Sequence, residues 1–319
     1  MVITDKNLFK YFCKHKWTFF ILRPLDLLSV IANARGYGRH LKRITGINYK
    51  AIAYFTKNDI VEYYRDEKEH QYFKKRLYQM ILEEPYKILR IFQEAQELNV
   101  LMRKEIKQYS KGKVIKDSKL QDLLKIFKEK YKFFEYQFAP CTSIPYFIGL
   151  VEEEMGLNDN NEKIKKIKQI SKKLRLFSFQ QYSEDVIEKI IKRIAEVSGY
   201  EKEFFNHLTP EEIINFDKLS KFKNTIRQRK GNYFYLKLAN KEYLTFNHLI
   251  IGKVEKLLEA KDHNIHIHKK FLLGKVAFKG WIRGRVKIVY GKRDFEKFNQ
   301  GDVLVTINSN PFLMPVIKR

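Results

Sequence analysis

Cysteine is almost absent. Cys13 and Cys141 are the only two, too few and too far apart for a disulfide framework or a thiolate metal site, which fits a reducing compartment. A long apolar run is also missing. The richest early stretch, residues 17–22, is cut by Arg23 and Pro24 and again by Asp26, well short of the roughly 18 continuous apolar residues of a membrane span. Lys6, Lys10, Lys14 and Lys16 precede it like the charged start of a secretion signal, but no small-residue cleavage pattern follows. The expectation is a cytoplasmic protein with no membrane partner. No phosphate cradle ending in Gly-Lys-Ser/Thr, no His-Glu-x-x-His and no Gly-x-Ser-x-Gly elbow occurs.

Apolar and aromatic residues are plentiful. With 44% hydrophobic and 14% aromatic content over 319 residues, the chain can bury a full core as two domains or one large one. Lys+Arg of 63 against Asp+Glu of 37 leaves a net charge of +26, enough to attract nucleic acid, anionic lipid or a phosphorylated ligand where it is clustered. Most of the excess is lysine, accompanied by abundant Ile, Phe, Tyr and Asn, the mark of a biased composition. Arginine, the better fork for phosphate and base edges, is scarce.

From Asp5 to about Tyr200 the apolar residues recur at helical spacing and glycine is rare, which predicts a helical region. Pro24 sits near the start of one helix. Residues 66–109 carry Phe73, Leu77, Ile81, Ile88 and Phe92 and are interrupted at Pro85, which predicts kinked or paired helices. Asp117 and Ser118 offer caps for a helix with a stripe of Leu123, Leu124, Phe127, Tyr131 and Phe134. Pro140 and Pro145 predict a turn. Residues 162–175 set Ile164, Ile167, Ile170 and Leu174 against a lysine-rich face, read as a surface helix rather than a membrane-lying one. Thr209-Pro210-Glu211-Glu212 combines a capping hydroxyl, proline at the first helical position and a carboxylate three residues on, so a helix starts there. Residues 232–238 and 243–246 predict short strands, 250–260 a helix, and 261–270 a linker. Gly274, Gly280, Gly284, Gly291 and Gly301 then come in quick succession between β-rich runs at 286–290 and 303–306. The fold class expected is α+β: a helical region over residues 1–245, a helix and linker over 246–273, and a small β-rich unit over 274–319.

Three stretches bear on chemistry. Arg35-Gly36-Tyr37-Gly38-Arg39 has two of the glycines of a dinucleotide loop but lacks the third. His263, His266 and His268 have a spacing open to metal ligation, or are solvent-exposed linker residues. Lys221, Lys223, Arg227, Arg229 and Lys230 beside Tyr233, Phe234 and Tyr235 would make either a basic groove with stacking rings or an exposed helix leading into a half-buried strand.

Gly274, Gly280, Gly284, Asp294, Phe298, Gly301, Asp302 and Thr306, followed by Ser309, Asn310, Pro311, Met314 and Pro315, resemble in order and spacing the opening half of the mobile phosphohistidine domain of phosphoenolpyruvate-utilising enzymes. That family includes phosphoenolpyruvate synthase, pyruvate phosphate dikinase and rifamycin phosphotransferase. The segment around Thr209 also resembles what precedes this domain. Ser309 and Asn310 stand where the family usually has Thr and Asp. The resemblance implies a swivelling domain whose histidine, in a Gly-Gly-x-x-x-His stretch beyond the position of Pro315, carries a phosphoryl group between two sites. The 319 residues hold no such stretch. The motif residues Gly284, Gly301, Asp302, Thr306, Ser309 and Pro311 would therefore be structural, and no catalytic residue or metal ligand is assigned. The cofactors implied, ATP and Mg2+, belong to the complete enzyme and not to this chain.

Two functions follow as expectations. One is a fragment or split subunit of a phosphotransferase, inactive alone and completed by a chain bearing the phosphohistidine. The other is a basic helical interaction protein with a nucleic-acid or protein partner, keeping a degenerate mobile domain.

Overall fold

The computed structural model describes residues 5–23, 25–57, 60–111, 115–157, 161–175, 179–216, 229, 232–239, 241–259, 281–289 and 292–305. They form a mixed helix and strand fold, α+β in class. At its centre is an antiparallel five-stranded sheet in the order β1-β3-β2-β4-β5. The strands are β1 (Trp17–Arg23), β2 (Ala51–Lys57), β3 (Ile60–Asp66), β4 (Phe234–Leu238) and β5 (Lys241–Thr245).

β2 explains the architecture. Ala51, Ala53 and Phe55 join Phe12, Trp17, Tyr64, Phe234, Leu236 and Val254 in a smaller core, under α1 (Asp5–Cys13) and α13 (His248–Glu259). Ile52 and Tyr54, pointing the other way, enter the main core with the remaining long helices. Both faces are covered, so the strand carries no polar alternation.

In the main core α2 (Leu27–Arg35) is buried at every position from Leu27 to Ala34. Its composition matches that place, since a helix buried all round has no polar face. The carboxylate of Asp26 caps it, accepting from the Ser29 amide at 2.6 Å. The Tyr54 hydroxyl donates to Asn33 at 2.6 Å and ties α2 to the sheet, and the Tyr131 hydroxyl donates to the Leu28 carbonyl at 2.7 Å and ties it to α6 (Leu120–Phe138). A π-helical turn, Gly36–His40, carries the chain on into α3 (Leu41–Thr45). A Cβ at Gly36 would lie 2.4 Å from Phe138 Cδ1, and one at Gly38 would lie 2.3 Å from Lys237 Cε. At Gly36 the neighbour is the buried Phe138 ring of α6, which has little room to give, whereas at Gly38 it is the flexible end of the Lys237 side chain.

α6 packs on α2 and α10 (Glu188–Ser198) on α6, while α4 (Glu67–Glu83) packs on α7 (Ile144–Met155), and α8 (Glu162–Leu174) on both α5 (Pro85–Ser110) and α7. The break at Pro85, the apolar stripe of α6, the basic face of α8 and the Thr209 capping box at α12 (Pro210–Ile214) all stand where the sequence places them. So do the strands β4 and β5 and the helix α13.

Three expectations are corrected. β1, β2 and β3 occupy stretches read as helical: β2 and most of β3 are buried on both faces and lose the period of two, and β1, a half-buried edge strand, has an aromatic residue, Phe19, at its exposed position, so it shows no polar alternation either. Pro140 and Pro145 make no turn: α6 runs through a π-helical turn, Ala139–Ser143, straight into α7, and the wider turn accommodates the amide that proline lacks. Neither Asp117 nor Ser118 caps α6, whose N-cap is Lys119 with no side-chain cap. Nearer the C-terminus β6 (Val286–Ile288) and β7 (Val303–Val305) pair in parallel, with Val289 and Phe298 buried beside them.

Candidate functional site

Arg65 sits near the end of β3, opposite Thr18 of β1 and Ile52 of β2, and is 1% exposed. Its guanidinium carbon lies 3.2 Å from the Phe20 ring centroid, 4.4 Å from Tyr37, 4.7 Å from Phe147 and 4.8 Å from Tyr49. The β1–β3 register shifts between Phe19 and Ile21, so Phe20 is the extra residue of a bulge, the device by which a strand re-aims a side chain. Here it puts the Phe20 ring over the arginine. Nε, Nη1 and Nη2 of Arg65 are all buried with no well-aligned hydrogen-bond acceptor. Burial raises both the Tyr37 and Tyr49 phenol pKa values, and the charge of Arg65 together with a weak, poorly aligned hydrogen bond from it to each hydroxyl works against that rise.

That arrangement is costly. A buried charge without a partner loses several kcal/mol of hydration, while a desolvated cation–π contact returns about 2 kcal/mol. Ring faces also leave the N–H edge of the fork unanswered.

Two further arginines act electrostatically on a neighbouring tyrosine, Tyr146. Arg23 closes β1, and Arg175 follows α8. A Cβ on Gly149 of α7 would lie 2.3 Å from Arg175 Nη1, so the Arg175 guanidinium rests on that helix one turn from Tyr146. The Tyr146 ring is 5.6 Å from Phe20. Burial raises the Tyr146 hydroxyl pKa, and Arg65, Arg23 and Arg175 oppose that rise. Glu153, an exposed carboxylate on α7, acts in the other direction. Among the described residues no carboxylate forms an ion pair with any of the three arginines. His70, which faces Tyr49 at 2.9 Å, is pushed down to about 3 by burial and then by Arg65 and Lys74, so it is neutral at pH 7.

A second charged cluster is balanced. Arg35 bonds Glu242 at 2.8 Å, Glu135 at 2.8 Å and Glu211 at 2.9 Å, and Lys237 reaches Glu242 at 3.3 Å. Burial opposes the charge on Arg35, and its bonds to Glu242 and Glu211 outweigh that. Partnered in this way, the cluster braces α2, α6 and the β4–β5 hairpin.

Of the motif residues, Gly284, Gly301 and Asp302 are described, and Thr306, Ser309 and Pro311 lie outside the described residues. A Cβ on Gly284 would lie 2.6 Å from the Gly301 carbonyl oxygen, and Gly301 has φ +87°. Asp302 accepts from the Asn299 amide at 2.9 Å and closes the turn into β7. These residues build a turn and a parallel strand pair. Gly274, Gly280, the linker over 261–270 and His263, His266 and His268 lie outside the described residues. Arg35 to Arg39 form helix and π-helical turn, not a loop that could cradle a phosphate. Of the basic stretch before β4, Arg229 is described and forks onto Glu212 at 2.8 Å, while Tyr233, Phe234 and Tyr235 are buried and offer no stacking surface.

Among the described residues no group of three His, Cys, Asp or Glu side chains could hold a metal ion, and no helix is long and apolar enough to cross a membrane. Comparisons with protein-family models, curated proteins and solved structures find no match to this chain. Sequence reading missed Arg65 altogether. The available signal was a charged residue in the run Tyr63-Tyr64-Arg65, in a strand otherwise dominated by apolar and aromatic residues.

Proposed function

We propose that this chain supplies the body and the opening strands of a phosphoenolpyruvate-utilising type of phosphotransferase, and that the phosphoryl-carrying histidine lies on polypeptide outside these 319 residues. The reading is carried by the unit at residues 281–305. Supporting it, Gly284 of the resembling segment approaches the backbone at Gly301 too closely for any other residue, and several apolar side chains of the unit are exposed. Trp281 is 88% exposed, Val286 59% and Ile288 53%. Side chains of this kind on a short parallel strand pair call for a further layer. ATP and Mg2+ would be bound by the complete enzyme.

The test is phosphorylation. The chain is expressed alone and together with the polypeptide encoded directly after residue 319, and each sample is exposed to radiolabelled phosphoenolpyruvate or to ATP with Mg2+. The reading expects acid-labile, base-stable label on the following polypeptide and none on residues 1–319. Label on any histidine within residues 1–319 contradicts it. The absence of label from both points to the interaction-protein alternative.

A further inference from the structure

We propose that the groove where α4, α7 and α8 meet the start of α5 binds single-stranded nucleic acid, with bases stacked on exposed tyrosines and phosphates held by lysines that lack a carboxylate partner. The inference is independent of the proposed function, because none of its residues lies in the β6–β7 unit.

A cavity of about 450 Å³ lies between α4 and the last turn of α7, a size suited to a small organic group. Gln71, Lys74, Lys75 and Gln79 of α4 line one wall, and Glu154 and Met155 of α7 the other. Lys74 is 5% exposed and bonds Glu154. An ammonium group has three donors, so two remain for a ligand. Lys168 meets Glu152 at 3.0 Å, and the Ser171 hydroxyl donates to the Pro145 carbonyl at 2.8 Å. α8 therefore runs antiparallel to α7 and starts beside Glu154 and Met155. There the Lys163 ammonium lies 3.9 Å from the ring centroid of Tyr86, at the start of α5. Towards the start of α4, Tyr72 adjoins Gln71 and stands one helical turn from both Lys68 and Lys75. Tyr72 is 63% exposed and Tyr86 68%. Two wet tyrosine rings, each beside lysine, thus flank a nucleotide-sized cavity.

Charge and rings together choose the ligand. Among the described residues Lys68, Lys75 and Lys163 form no ion pair. A single strand brings a phosphate to each of them and a base face to each tyrosine, and stacking of this kind serves every sequence. A duplex keeps its bases stacked on one another and would leave both rings unused. An acidic peptide would answer the lysines alone. Inside the cavity the amides of Gln71 and Gln79 can hydrogen-bond the edge of an unstacked base. The net charge of +26 attracts any polyanion from a distance, and the rings fix the place where a strand settles.

The experiment follows the fluorescence anisotropy of short labelled oligo(dT) and oligo(U) strands titrated with the full chain over a range of salt concentrations. Saturable binding that weakens with salt is expected for at least one strand, and a preference between them assigns DNA or RNA. Tyr72→Ala and Tyr86→Ala, which leave the charge unchanged, should each weaken binding at least about fivefold, the contribution of one stacked base. Tyr72→Phe, which keeps the ring, should bind as the wild type does. Lys75→Gln should weaken binding and reduce the slope of log affinity against log salt by about 0.7. Lys125→Gln, at an exposed position of α6 outside the groove, should leave affinity nearly unchanged. Melting temperatures should match the wild type throughout, since every substituted side chain is exposed. The proposal is overturned if neither strand binds, if the alanine variants bind like the wild type, or if Lys125→Gln costs as much as Lys75→Gln. It is also overturned if polyglutamate competes as well as unlabelled oligonucleotide, which would make an acidic protein the partner. A mononucleotide that binds as tightly as the strand would overturn it too, by making the cavity a small-molecule site.

Discussion

Arg65 and His70 impose a pH dependence that the composition does not suggest. The unfolded chain binds a proton on His70 near pH 6.5, whereas burial and then Arg65 and Lys74 hold the folded pKa at about 3. Below pH 6.5 the unfolded state therefore holds the extra proton, and stability falls as pH drops from about 6.5 towards 3. The loss expected is on the order of a few kcal/mol, read as the fall in urea midpoint between pH 7.5 and pH 4 for the wild-type chain relative to His70→Gln. An equal fall in both proteins would show that His70 does not titrate in this way. Gly36 gives a steric prediction. A methyl group there meets Phe138 at 2.4 Å, so Gly36→Ala should destabilise by about 1–3 kcal/mol in urea unfolding, although its φ of −55° suits alanine. At this scale the sequence is legible where a motif is local, as at Thr209. It is silent on Arg65, whose environment is assembled from β1, β3, α7 and the turn after α2.

Elements were legible to the extent that one face was wet. The helices α4, α6 and α8 each keep polar residues on one side, and their apolar stripes were read correctly. β2 and most of β3 have no such side, and in the half-buried edge strand β1 the exposed position is Phe19; an apolar run without alternation fits helix or strand equally well. Pro140 misled for a different reason. Proline ends a regular α-helix, but inside a π-helical turn the bond it removes is already rearranged. The capping box at α12 allows a direct check. Thr209 accepts from the Glu212 amide at 3.3 Å, and the Glu212 carboxylate accepts from the Thr209 amide at 2.9 Å while also bonding Arg229. Thr209→Ala should cost about 1 kcal/mol, and Glu212→Ala more, because it also releases Arg229. Equal effects in a urea titration would mean that the Arg229 pair contributes nothing.

For the whole molecule, the sheet and its two helical layers form the body, and the parallel pair β6–β7 has its own small cluster of Val289, Phe298, Phe295 and Leu304. The sequence resemblance falls on that pair and on the segment before β4, and the glycine spacing found there has a physical cause in the contact of Gly284 with Gly301. What covers Val286 and Ile288 lies outside these residues on the proposed reading. Amide hydrogen exchange tests this most directly. Residues 286–305 should exchange far faster than β2 and β3 in the chain alone, and should become protected when the polypeptide that follows residue 319 is supplied. Protection of residues 286–305 equal to that of β2 with nothing added would contradict the account, because a strand pair already covered needs no completing partner.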